Sequence, residues 1–167
     1  RSQAYDLAYR TPINYASDQG RNIEDVLSRI EPSILKSAID EANADMAARN
    51  VRNMQIMARI DDAGKVVYDE MPNVQQLDEI KKALQSIAYE NVDNFGRLTG
   101  KGRRYNDLAR QLRDATADAA EPYGAAVALG GDKISEERAF SFGESLLRPS
   151  TRVEDINFEL GKNPSQA

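Results

Sequence analysis

Residues 74–88 have the sequence VQQLDEIKKALQSIA. Its apolar side chains recur every three or four positions, at Val74, Leu77, Ile80, Leu84, Ile87 and Ala88. This spacing places them along one face of an α-helix, and charged or amide side chains fill the opposite face. The segment therefore predicts a long amphipathic helix that begins after Pro72 and ends before Gly96, with its apolar face buried against Leu108 and Leu112.

The same helical spacing, or a helix-start signal, recurs in other parts of the chain. Further helices are predicted over residues 23–30, 32–48, 105–119, 135–147 and 151–160. Asn22 is the expected N-cap of the first of these, and Gly100 and Gly102 are expected to break the chain before the third. In contrast, the aromatic residues and Pro12 within residues 5–15 indicate a turn-rich segment.

The β signal is confined to about residues 55–69. Residues 56–60 and 65–68 flank the polar loop Asp61-Asp62-Ala63-Gly64, in which Gly64 can adopt a positive φ. An isolated hairpin is marginal in water, so this one must pack against helices. The predicted fold is therefore mainly α, an irregular bundle of about six or seven helices with one small antiparallel β-hairpin.

The chain of 167 residues is predicted to form a single helical domain over residues 1–167, which is long enough to bury a core. It starts at Arg1 rather than at a methionine and ends in the polar run 162–167, so we expect a fragment of a longer polypeptide. No apolar run approaches the roughly 20 residues needed to cross a bilayer, and no secretory signal peptide is visible.

The chain contains no histidine, no cysteine and no tryptophan. Without imidazole or thiolate groups, it cannot form a Ser-His-Asp triad, a cysteine nucleophile or a zinc site with nitrogen or sulfur ligands. We therefore predict no cofactor, no metal site and no catalytic residue. A non-catalytic structural or interaction role is favoured.

Glu144 is the residue that an enzymatic alternative would use. The pair Glu144-Ser145 resembles the catalytic pair of lytic transglycosylases, in which a carboxylic acid protonates the glycosidic oxygen. A carboxylate-based cell-wall hydrolase is thus the alternative function. It is disfavoured because the downstream motif and the aromatic sugar platforms typical of those enzymes are missing from the sequence.

A basic run stands out in this chain, whose formal net charge is −5 at pH 7. Its members are Arg97, Lys101, Arg103, Arg104, Arg110 and Arg113. On a helix, Arg103, Arg110 and Arg113 could share a face that contacts a phosphate backbone or an acidic partner. We favour a solvated face with ion pairs to Asp107 and Asp114, because charge runs are usually of this kind. Nucleic acid is a possible partner, but the net negative charge opposes it.

Short motifs along the chain together resemble a known group of proteins. They are YDLAY (5–9), PINY (12–15), GR (20–21), AIDEAN (38–43), MPNVQQLD (71–78), LRDA (112–115), YGAA (123–126) and GGDK (130–133). In this order they resemble a helical region of long virion-associated proteins of alphaproteobacterial tailed phages and prophages. The resemblance covers nearly the whole chain, and it brings no known catalytic residues.

This resemblance implies a role in the phage particle, as an internal or ejected protein or as part of a head-to-tail assembly. It implies protein partners, which would be other virion proteins or the rest of the same polypeptide. The expected location is the virion, or the bacterial cytoplasm during assembly.

Overall fold

A computed structural model of the protein describes residues 2–130. Within this range the chain forms six α-helices and one two-stranded antiparallel sheet. The helices are α1 (Ser2–Arg10), α2 (Asp18–Arg29), α3 (Pro32–Ala48), α4 (Val74–Glu90), α5 (Gly100–Ala119) and α6 (residues 121–130). The strands are β1 (Ala58–Ile60) and β2 (Val66–Tyr68), and a short 3-10 helix, Arg52–Met54, precedes them. The predicted mainly α class with one small hairpin is confirmed.

Two of the predicted helices, over residues 135–147 and 151–160, lie outside the described residues, and so does Glu144. Among the helices of the described range, none is both long enough and apolar enough to cross a bilayer. For this part of the chain, the finding agrees with the prediction that no segment spans a membrane.

The predicted amphipathic helix is α4, and its start is set by a reciprocal cap. The side chain of Asn73 accepts a hydrogen bond from the backbone N–H of Gln76 at 2.9 Å, while the Gln76 side chain accepts one from the N–H of Asn73 at 2.9 Å. This capping box satisfies two backbone donors that the first helical turn leaves free. The Gln76 amide also donates to the carbonyl of Met54 at 3.0 Å, which ties the start of α4 to the segment before the hairpin.

The main core lies on the apolar face of α4, which packs between α3 and α5. Leu77, Ile80 and Leu84 are completely buried there in the same cluster as Leu108 and Leu112. The predicted contact between the two apolar stripes is therefore confirmed. Ile87 is only partly buried, because it lies at the edge of this cluster. Since α4 has neighbours on two sides, its removal would expose both interfaces.

The N-terminal segment differs from the prediction of a turn-rich region. Residues 2–10 form α1, and Ala8 on its inner face is completely buried. Tyr5 and Tyr9 pack around it in a second apolar cluster with Tyr123 of α6. The aromatic side chains thus follow a helical spacing, which the sequence analysis did not recognise because the segment is short. The helix ends before Thr11, as expected for the residue that precedes Pro12.

The starts of α2 and α5 also differ from the predictions. Helix α2 begins at Asp18 with Ser17 as its N-cap, so Asn22 is an interior residue rather than the cap. Helix α5 begins at Gly100 with Thr99 as its N-cap, so the expected break at Gly100 and Gly102 is wrong. In each case a hydroxyl accepts a hydrogen bond from the backbone N–H of a glycine three residues later, at 3.0 and 3.1 Å respectively. Such a cap outweighs the low helix propensity of glycine in the first turn.

The hairpin is confirmed with shorter strands than predicted. In its register Arg59 lies opposite Val67, and Gly64 in the connecting turn has a φ of 81°. The segment that leads into the sheet is bound to α3 through Asn43. The Asn43 side chain donates a hydrogen bond of 2.9 Å to the carbonyl of Ile56 and accepts one of 2.7 Å from the N–H of Ile56. A two-stranded sheet needs such support, since it is marginal by itself.

Candidate interaction surface

Helices α4 and α5 are joined by a tightly hydrogen-bonded loop, residues 91–99. Val92 and Leu98 form an antiparallel bridge, and Gly96 turns the chain with a φ of 77°. The carboxylate of Asp93 accepts hydrogen bonds from the backbone N–H groups of Phe95 at 2.8 Å and of Arg97 at 3.0 Å. Because these donors stabilise its ionised form, the N–H of Arg97 foremost, the pKa of Asp93 is lowered. The loop is therefore an ordered turn rather than a loose connection.

Phe95 lies in this turn with 73% of its surface exposed. Val92 in the same loop and Tyr89 in the last turn of α4 are each 40% exposed. Large apolar side chains that are held out by an ordered backbone lose little conformational entropy on binding, so they are favourable anchors for a partner. The exposure of Phe95 was not predictable, because no local sequence pattern distinguishes an exposed phenylalanine from a buried one.

Two cations of the basic run are fixed in this loop region. The guanidinium carbon of Arg97 lies 5.2 Å from the centroid of the Phe95 ring, and Arg97 Nε lies 3.3 Å from the carboxylate of Asp93. Arg103 Nη1 donates a hydrogen bond of 2.9 Å to the carbonyl of Leu98. The positive charges are thereby placed beside the exposed aromatic ring.

Lys101 and Arg104 are exposed in the first turn of α5. Lys101 Nζ lies 5.9 Å from the centroid of the Tyr105 ring. This turn contains no acidic residue, so the cations add to the positive end of the helix dipole instead of compensating it. We call the group Phe95, Arg97, Lys101, Arg103 and Arg104 the aromatic–basic surface.

The other two members of the basic run lie farther along α5. Arg110 is seven residues after Arg103, which corresponds to roughly 10 Å of helix rise, and it is exposed. Arg113 is half-buried and pairs with Asp114 at 3.0 Å. The predicted ion pair of Asp114 is therefore present, whereas Asp107 forms none with the residues the structure describes. Four of the six residues of the basic run therefore lie together at the start of α5, and the other two lie apart from them.

Gly102 allows the start of α5 to approach the end of α4, so Gly102→Ala is expected to destabilise the chain by about 1–3 kcal/mol. A Cβ at this position would lie 2.6 Å from the carbonyl oxygen of Asn91 and 2.8 Å from that of Ala88. Urea unfolding followed by circular dichroism would measure the loss. Gly100→Ala is the matched control, because a Cβ there meets only the end of the Arg103 side chain at 3.9 Å. Equal stability of the two variants would contradict the close contact.

A buried polar cluster centred on Asp78 of α4 lies where α1, α4 and α6 meet. Its carboxylate, almost fully buried, accepts hydrogen bonds of 2.7 Å from the hydroxyls of both Tyr9 and Tyr123. Its oxygens also lie 2.9 Å from Lys81 Nζ and 3.1 Å from Lys82 Nζ. The four donors come from α1, α4 and α6, so the carboxylate joins three helices. Both of its oxygens are thereby engaged in contacts between helices.

A second buried carboxylate, Glu79, extends this cluster toward α3. Glu79 Oε1 lies 2.7 Å from Arg49 Nη2 and 3.6 Å from Lys82 Nζ. The hydrogen bond to Glu79 raises the pKa of Arg49, which stays charged at every accessible pH. Sequence reasoning missed both carboxylates because Asp or Glu three or four residues before Lys is the usual pattern of an exposed helix face.

Stability is expected to be highest between about pH 5 and pH 9 and to fall on both sides. Burial alone would raise the pKa of Asp78, but the ammonium groups of Lys81 and Lys82 and the Tyr9 hydroxyl hold it well below its usual range. This stabilisation is therefore complete above the unfolded pKa of about 4 and is lost as the pH falls below it. Burial, followed by the charge of Asp78, raises the pKa of Tyr9 and Tyr123, so their contribution is present below about pH 10 and lost above it.

Urea titrations at several pH values measure both limbs of this profile. In Asp78→Asn, the decrease between about pH 5 and pH 2 should become shallower, because the variant has no carboxylate to protonate at this position. An unchanged acid limb in that variant would show that other carboxylates dominate acid unfolding.

Within residues 2–130, no group of three or more acidic side chains is arranged to hold a metal ion. Comparison with known proteins finds no match to this chain among family models, curated proteins or solved structures. The virion-associated setting therefore stays a prediction that rests on the motifs quoted above.

Proposed function

We propose that this chain is a non-catalytic interaction module of a phage or prophage virion-associated protein, and that it binds a protein partner through the aromatic–basic surface. The observation that supports this most directly is Phe95, a phenylalanine 73% exposed on an ordered turn. Phenylalanine and arginine are enriched in protein interfaces, where an aromatic anchor with nearby arginines provides much of the binding energy.

The charge distribution indicates what kind of partner fits. Arg97, Lys101, Arg103 and Arg104 lie together in a chain whose formal net charge is −5. A partner that places a small apolar pocket beside acidic side chains would complement both components of the surface. A nucleic acid backbone would match the local cations but would be repelled by the rest of the molecule.

The setting in a particle is supported by the motifs quoted in the sequence analysis. The partner would then be another virion protein or another part of the same polypeptide.

Incorporation into particles tests this proposal. Particles would be purified from a strain whose prophage carries the gene, and the full-length protein would be quantified in them by mass spectrometry. Phe95→Asp is expected to lower its copy number at least about tenfold, as loss of a central aromatic anchor does. Leu129→Asp is the matched control, because Leu129 is 74% exposed on α6, and it should leave the copy number unchanged.

The competing functions give distinct results. Absence of the wild-type protein from the particles, or equal effects of the two variants, would overturn the proposal.

Labelled duplex DNA is expected not to bind near physiological salt. Tight, strongly salt-dependent binding that is lost in Arg103→Glu/Arg104→Glu would favour the nucleic-acid alternative. Release of muropeptides from peptidoglycan that is lost in Glu144→Gln would favour the hydrolase.

A further inference from the structure

A groove of about 530 Å³ lies between α2, the start of α3 and strand β2. Leu27, Leu35 and Met71 provide apolar surface, while Glu24 and Lys65 provide one charge of each sign. The volume is within the range of pockets that bind small molecules or peptide side chains. The groove is separate from the aromatic–basic surface and shares no residue with it.

The wall that β2 contributes to this groove is the edge of the strand. All four consecutive residues from Lys65 to Tyr68 line the groove. Side chains of a strand alternate between the two faces of a sheet, so one face alone would contribute only every second residue. Four in succession indicate that the backbone itself borders the groove.

The hydrogen-bond pattern of the hairpin shows which backbone groups are available at this edge. The N–H of Asp61 donates to the carbonyl of Lys65 at 2.8 Å, and the N–H of Asp69 donates to that of Met57 at 3.0 Å. With the observed register, odd-numbered residues of β2 therefore face β1, and the N–H and C=O groups of Val66 and Tyr68 point away from it.

No other hydrogen bond within residues 2–130 engages the backbone N–H or C=O of Val66 or Tyr68. A strand edge with unpaired donors and acceptors is a template for a further strand.

Two charged residues, Glu24 and Lys65, line the groove. Lys65 is at the start of the bordering segment, whereas Glu24 belongs to α2 on the opposite wall. An acidic residue near Lys65 and a basic residue near Glu24 would complement the groove.

We propose that this groove binds an extended peptide segment, which pairs as a third strand with Val66 and Tyr68 and places an apolar side chain against Leu27, Leu35 and Met71. The occupant is a peptide because only an extended backbone presents donors and acceptors at the two-residue spacing of the strand edge. This site goes beyond the proposed function, and neither depends on the other.

Amide exchange of the 15N-labelled chain tests the pairing without any substitution. The probe is the acetylated and amidated heptapeptide Lys-Thr-Val-Thr-Val-Thr-Glu at millimolar concentration. Exchange of the Val66 and Tyr68 amides should slow at least about tenfold on addition of the peptide, as expected for amides that gain a hydrogen bond. The amide of Val67 should change little, because it is already bonded to β1.

A matched pair of variants tests the same contact. Val66→Pro removes an N–H that the hairpin does not use, since proline is tolerated at a strand edge whose N–H faces outward. Loss of one such bond should weaken peptide binding about tenfold, whereas Val66→Ala, which keeps the N–H, should bind within about threefold of the wild type. Far-ultraviolet circular dichroism checks that both variants are folded.

Three results would overturn the proposal. The first is the absence of amide protection at millimolar peptide. The second is protection of Val66 and Tyr68 that appears without peptide and grows with protein concentration, which would assign the edge to a second copy of the chain. The third is a small apolar compound that binds the groove while the peptide does not.

Discussion

Asp78→Ala is expected to lower the free energy of unfolding by about 3–5 kcal/mol, the range for removal of one partner from a buried ion pair. The substitution removes the carboxylate that lies 2.9 Å from the Nζ atom of Lys81, whose side chain is 9% exposed. It also leaves the hydroxyls of Tyr9 and Tyr123 without their acceptor. The hydroxyls that lose their acceptor, in addition to the lost attraction, make the effect large.

Urea unfolding of the 167-residue chain at pH 7, followed by circular dichroism, measures this loss. Asp107→Ala is the matched control, because Asp107 is exposed on α5 and should change stability by less than about 0.5 kcal/mol. Asp78→Asn should fall between the two, since the amide oxygen still accepts from one tyrosine but does not neutralise Lys81. A loss in Asp78→Ala no greater than in the control would show that water or another anion replaces the carboxylate.

Leu84→Ala is expected to lower the free energy of unfolding by about 2–5 kcal/mol, the usual range for a buried leucine. Leu84 is completely buried on the central face of α4, in the core cluster that also contains Leu108 and Leu112 of α5. Truncation removes apolar contacts and leaves a cavity that helices on two sides cannot both close.

Chemical denaturation under the same conditions measures this effect, and the dependence of stability on urea should stay unchanged. Leu129→Ala is the control with the same chemistry, because Leu129 is 74% exposed and should lose less than about 0.5 kcal/mol. A comparably small loss for Leu84→Ala would mean that the α4–α5 interface is not the principal core.

Elements specified by neighbouring residues were predictable. The spacing of Val74, Leu77, Ile80 and Leu84 predicted α4, and Gly64 between two short apolar runs predicted the hairpin turn. The starts of α2 and α5 were not predicted correctly, although their N-caps are also local features of the sequence. Ser17 and Thr99 each cap a helix whose first turn contains a glycine, and at α5 the glycines were given more weight than the cap.

The aromatic–basic surface was predictable only in part. The cations at Arg97, Lys101, Arg103 and Arg104 are visible as a run in the sequence. Phe95 was not recognised, because its exposure depends on the turn that Asp93 and Gly96 make between two helices. The separation of Arg110 and Arg113 from the other cations likewise follows from where α5 begins.

The sequence alone specified the helical periodicity and the hairpin turn, because these features act between residues a few positions apart. The capping box at Asn73 is equally local, although it was not predicted. Tertiary structure decided that Asp78 is buried, since its tyrosine partners are 69 and 45 residues away along the chain. It also decided that the outer edge of β2 borders a groove, because α2 and the start of α3 form the opposite wall. Burial and groove formation depend on which distant segments pack together, and the spacing of residues within one segment does not contain that information.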